Sequence, residues 1–231
     1  MLPKPGYIEW LFETWAWLLH HHDTETAFGG RALVTPTRLD FPVDPRLTGE
    51  DLAEDYFIFV QEHAGLSNWP LHVVPEHELH GEAGDEGFPI PYDPTWLADP
   101  ARLVTHFARG VAHYVVHSID DAIPGDVEYA IDATAVYLGF GAFAANAASP
   151  RASGENLILA RRLGVMAEHE LAYALAVFGV LLEIPDREME QHLRPNPRAF
   201  HRKAVKHVLR HHGRGLERLR GTYPKRVGPY R

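Results

Sequence analysis

The sequence predicts a mainly α-helical fold with a few short strands, and three observations support this. Apolar residues recur at helical spacing through long stretches such as PARLVTHFARGVAHYVVHS and AEHELAYALAVFGVLL. Residues that open helices stand just ahead of several such stretches: Thr48, Asp99 followed by Pro100, Asp126 and Ser153. Glycine, proline and acidic residues gather in a handful of connecting segments, and among these WPLHVVP reads as a short strand. No internal repeat, low-complexity tract or sharp linker divides the chain. One domain over residues 1–231 is therefore expected, with 187–231 as a basic helical extension packed on it.

Taken in order, Tyr7 to about His22 reads as a first helix rich in Trp and Leu. FGGRALVTPTRLDFPVDP follows as loop with room for a short strand, broken by Gly29, Gly30, Pro36 and Pro42. The second helix runs from Thr48 to about Ala64, with acids in its first turn facing the helix dipole. After the WPLHVVP strand, Glu76 to Asp93 is rich in Gly, Pro and acids and reads as loop. Pro100–Ser118 is a helix, DDAIPGD a turn and Val127–Ala147 the next helix. Ser153 opens a long helix to Leu182, and PDREMEQHL makes a short one. RPNP then breaks the chain before a final basic helix.

At 231 residues, 45% hydrophobic and 23% charged, the chain can bury a sizeable core, which argues against wholesale disorder. Cysteine is absent, so any metal must be held by His, Asp or Glu. MLPKPGYIEWLFETW lacks the basic-then-apolar order of a signal peptide, and the longest apolar run, LAYALAVFGVLL, is too short to span a bilayer. A cytoplasmic protein without membrane partners is expected. Charge is uneven: residues 187–231 hold 13 Lys+Arg against 3 Asp+Glu, while the first 186 hold 9 against 28. The basic end can bind nucleic acid through Arg194, Arg198, Arg202, Lys203, Lys206 and Arg210, or fold back on the acidic body. Folding back is favoured by an apolar stripe of Phe200, Ala204 and Val208, with Val205 and Leu209.

His113 and His117, four apart, share one face of the Pro100–Ser118 helix, the geometry by which H-E-x-x-H grips an ion. His106 on the same stripe lies two turns from His113, about 10 Å along the axis, too far to share that ion. On the next helix Glu128 and Asp132 are also one turn apart. A zinc held by His113, His117 and Glu128, with Asp132 orienting an imidazole or ligating in its place, fits this spacing. The structural alternative puts Glu128 beside the helix dipole and pairs Asp132 with Arg109 or another cation. His169-Glu170 with Tyr173 lacks a second ligand, HHH at 20–22 ends a helix, and GFGAFAAN has no P-loop context.

LADPARLVTHFARGVAHYVV, EYAID and GFGAFAAN together resemble a group of bacterial proteins with zincin-like, gluzincin-type metallopeptidase features. Their pattern runs L-x-D-P-x-x-L-V-A-x-x-A-H-E-L-A-H-Y-L-L, then E-x-x-T-D-L, then G-x-G-x-F-x-A-N. The likeness covers about two thirds of the chain and implies a zincin-like helical core of the α+β kind. In this register the family's H-E-L-A-H falls on Arg109, Gly110, Val111, Ala112 and His113. The first histidine is replaced by Arg109 and the catalytic glutamate by Gly110. His117 is an extra residue one turn further on.

A zinc peptidase needs a carboxylate beside the metal to deprotonate the bound water. Neither Tyr114 nor Gly110 supplies one, and tyrosine, with a pKa of about 10, serves at most in a supporting catalytic role. The resemblance therefore implies a pseudoenzyme that binds a protein partner, with or without residual zinc. A hydrolase drawing its base from the 76–86 loop (Glu76, Glu78, Glu82 or Glu86, with His77 and His80) is the enzymatic alternative. Arg109 itself suggests a hypothesis: its guanidinium replaces the lost cation and pairs with Asp132 or Glu128.

Overall fold

The computed structural model describes residues 1–21, 33–79, 87–148 and 163–222. Among them the fold is mainly helical, with one two-stranded parallel sheet. Helix α1 spans Pro5–His21 and α2 Gly49–Ala64. Strand β1, Leu71–Pro75, pairs with β2, Phe88–Tyr92. Then come α3 (Pro100–Ser118), α4 (Val127–Ala135), α5 (Gly141–Ala147) and α6 (Glu168–Leu182). The short α7 (Asp186–Glu190), α8 (Pro195–His211) and α9 (Gly213–Thr222) complete the chain. No helix among the described residues is long and apolar enough to cross a membrane.

The core forms around α6, which is apolar on nearly every side and buried on nearly every side. Helix α5 packs on one flank and α8 on another. Helix α1 enters through Trp15, whose ring meets Tyr137 and Phe178 edge-on at 6.1 Å each. Helix α3 contributes a continuous stripe, with Phe107 packed between Phe57 of α2 and Tyr92 of β2.

Strand β2 lies in a segment whose composition reads as loop, and its prolines explain how it can pair. Phe88 donates its N–H to the Pro70 carbonyl at 2.8 Å, so Phe88, Ile90 and Tyr92 turn their backbone groups toward β1. Pro89 and Pro91 fall at the outward positions, where a missing N–H costs no ladder bond. Their carbonyls are taken by α3: the Tyr114 hydroxyl donates to Pro89 at 2.9 Å, and His106 Nε2–H to Pro91 at 2.7 Å.

Three expected elements differ from those observed. The helix expected over Val127–Ala147 is broken by a wide turn at Val136–Phe140, where Gly139 has φ of 100°. Within GFGAFAAN, Gly141 packs closely on α6, where a Cβ would lie 2.8 Å from Leu175 Cδ1. The helix expected from Ser153 begins at Glu168, because residues 163–167 are not helical; its first ten residues lie outside the described set. In α8, Ala204, Val205 and Val208 are buried as expected, but Phe200 is half-buried and Leu209 is 61% exposed. Helix α8 of the basic end packs on α6 through this apolar face. Of the basic end's described ion pairs, Arg202 with Glu190 lies within the basic end itself, and Arg220 reaches Glu183 at the end of α6.

Candidate functional site

The turn DDAIPGD brings α3 and α4 side by side. Asp126 caps α4 as expected, its carboxylate accepting from the N–H groups of Glu128 and Tyr129 at 2.9 and 3.3 Å. Capping fixes the start of α4, so Glu128 and Asp132 project one turn apart toward α3. Arg109 of α3 meets both. Its Nε donates to Asp132 Oδ1 at 2.8 Å, and its Nη2 donates to Glu128 Oε2. One guanidinium thus joins the two carboxylates in the forked arrangement that lysine cannot make.

Asp132 is the buried member, 5% exposed. Its other oxygen accepts from the backbone N–H groups of Val165 and Met166 at 2.7 and 2.9 Å. That approach requires Gly164, where a Cβ would sit 2.6 Å from both carboxylate oxygens. The carboxylate therefore ties α3, α4 and the segment entering α6 together with charge-assisted bonds on every side. Burial works against the charge of Arg109, and Asp132 and Glu128 more than compensate, holding its pKa above the ordinary guanidinium value.

One residue further along α3, Gly110 faces β2. A Cβ there would lie 2.7 Å from Ile90 Cγ2, so the glycine sets how closely α3 packs on the sheet. At the position where the resemblance expects a catalytic glutamate, Ile90 occupies the space.

His113 and His117 stand on the exposed part of α3, their ring centroids 4.1 Å apart and tilted by 33°. His117 Nδ1–H donates back to the His113 carbonyl at 2.8 Å. Burial first, and then the neighbouring His117, lowers the pKa of His113, against a smaller pull upward from Glu128. The Tyr114 hydroxyl is committed to Pro89, its ring rests 5.2 Å from Phe88, and burial raises its pKa. It acts as a strut between helix and sheet.

The structure thus brings Arg109, Glu128 and Asp132 together and leaves the two histidines paired with each other. Among the described residues no group of three or more His, Asp or Glu is arranged to hold a metal ion. The four expected zinc ligands do not fit an ion in this arrangement, because the guanidinium already takes both carboxylates. Glu78 of the acidic loop lies near Tyr92, where burial and then Glu50, Glu78 and Glu54 raise the phenol pKa. That is the end of β2 away from Tyr114; His80, Glu82 and Glu86 lie outside the described residues.

The other histidine motifs serve local structure. Glu170 accepts from the Ala167 N–H at 2.7 Å at the start of α6, and Tyr173 shares a 3.0 Å hydrogen bond with His207. His21 pairs with Asp121 at 3.0 Å. Sequence reasoning missed the backbone donors at 165 and 166; Gly164 ahead of an apolar pair was their only trace. Compared with family models, curated proteins and solved structures, the chain matches none.

Proposed function

We propose that the protein is a pseudoenzyme of the zincin-like kind, working by binding a protein partner and not by hydrolysis. The observation that carries this reading is the Arg109 guanidinium bonded to both Glu128 and Asp132. In the register of the resemblance, Arg109 stands where the first zinc histidine would be. Its fixed positive charge lies between the carboxylates that would serve the metal. A guanidinium keeps its proton throughout the working pH range, so it supplies the cation's charge without a site for activated water. Gly110 removes the general base, and Tyr114 is engaged elsewhere.

The test is zinc binding by the untagged protein and by Arg109→His, followed by elemental mass spectrometry and zinc titration. The wild type should carry substoichiometric zinc and bind added zinc weakly. Arg109→His frees both carboxylates and offers an imidazole one turn from His113, so its zinc affinity should rise by about tenfold or more. Stoichiometric zinc in the wild type, lost in His113→Ala, would sink the proposal and justify a search for hydrolysis.

A further inference from the structure

Two helices on the surface carry opposite charges, each with one exposed apolar residue within or beside its charged stripe. On α2, Asp51, Glu54, Ile58 and Glu62 recur every three or four residues and form one exposed stripe, opposite the buried Ala53, Phe57 and Val60. Ile58 in its middle is 49% exposed. On α8, Lys203, Lys206 and Arg210 form the exposed stripe opposite Ala204, Val205 and Val208, and Leu209 stands beside it. The acids on α2 make no ion pair with any described residue, and neither do those three cations, so neither stripe is neutralised by the other within the chain.

We propose that these two stripes form a self-association surface, the acidic face of α2 on one copy docking on the basic face of α8 on a second copy. Several features point to a second copy. Sixteen residues in α2 and seventeen in α8 give helices of similar length, about 25 Å, so one can lie along the other. With Ile58 against Leu209, Glu54 and Glu62 flank the contact on α2, and Lys206, less than one turn before Leu209 on α8, comes opposite an acid. This holds whichever way the helices run. Apolar contact at the centre with opposite charges at the rim is the composition of a protein interface. The overall division of charge, −19 over the first 186 residues and +10 over the remainder, favours the same partner. This inference rests on surfaces away from Arg109 and stands or falls separately from the pseudoenzyme reading.

Sedimentation velocity on the full chain tests it. Self-association should be detectable at roughly 10 µM protein in low salt and weaken at least about tenfold at about 0.5 M salt, where exposed charges are screened. Lys203→Glu with Lys206→Glu should be monomeric, as should Glu54→Lys with Glu62→Lys. All four positions are exposed, and unchanged circular dichroism and melting would show that the variants fold. Mixed one to one, the two monomeric variants should associate, because each supplies the charge the other now lacks. A wild type that stays monomeric throughout overturns the proposal, as does association indifferent to the reversals or mixed variants that ignore each other. Binding of duplex DNA or anionic vesicles through Lys203 and Lys206 without self-association would also overturn it.

Discussion

Adjacent turns of α3 hold their polar groups in opposite ways. At Arg109 the side chain is clasped by two carboxylates, and the more buried of these is held in turn by two backbone N–H groups. At His113 and His117 two imidazoles face each other, and among the described residues the one bond they make is to the helix itself. Burying a charge is tolerable only when its bonding capacity is filled, and the first turn meets that condition while linking three segments. The second turn sits at the surface, where water does the same work. The first is therefore built into the fold, whereas the second can change with little structural consequence.

The largest effect is expected at Asp132. Asp132→Ala leaves Arg109 half-partnered and the N–H groups of Val165 and Met166 without their acceptor. The cost should be about 3–5 kcal/mol, a melting temperature lower by roughly 6–20 °C for a chain of this size. Asp132→Asn keeps an acceptor for the backbone donors and loses the charge, so it should fall between the alanine variant and the wild type. Melting of Asp132→Ala within about 1 °C of the wild type would show that the cluster is not holding the segments together.

A smaller loss separates Gly110 from its neighbours. Gly110→Ala gains about 1 kcal/mol of helix propensity but pushes a Cβ into Ile90, and overpacking of this kind costs about 1–3 kcal/mol. The net destabilisation should be about 1 kcal/mol and should vanish when the same change is made in an Ile90→Ala background, because the clashing Cγ2 is then gone. A Gly110→Ala variant more stable than wild type would mean that helix and sheet are not in this close contact.

The helix that carries both turns was legible in the sequence because its signals are local. Asp99-Pro100 opens it, its apolar stripe faces the core, and Asp126 starts its neighbour. The pairing of Arg109 with Asp132 is legible as an alternative to ligation, since charge and helical spacing suffice to propose it. What anchors Asp132 was not legible: two main-chain N–H groups more than thirty residues away have no side-chain signature. Strand β2 was hidden for a related reason. Proline count predicts loop, and only the alternation of which backbone groups face β1 shows that Pro89 and Pro91 fall where no donor is needed. The break at Gly139 and the exposure of Leu209 likewise depend on what each helix packs against, which a single stretch does not contain.

The smallest effect belongs to the histidine turn, and its sign with pH sharpens the contrast. Burial and His117 depress the His113 pKa below the unfolded value of about 6.5. As pH falls below about 6.5 the unfolded chain takes up the proton first. The contribution of this imidazole to stability is therefore intact above that pH and lost as pH falls through the depressed folded value. His113→Ala should melt within about 1 °C of the wild type at pH 8, as expected for an exposed side chain whose ring contacts lie on its own helix. At acid pH it should melt above the wild type, with a shallower loss on acidification. The loss will not vanish, because burial also lowers the pKa of His192, His201, His207 and His212. A His113→Ala variant that loses several degrees at pH 8 would mean that the second turn is as structurally committed as the first.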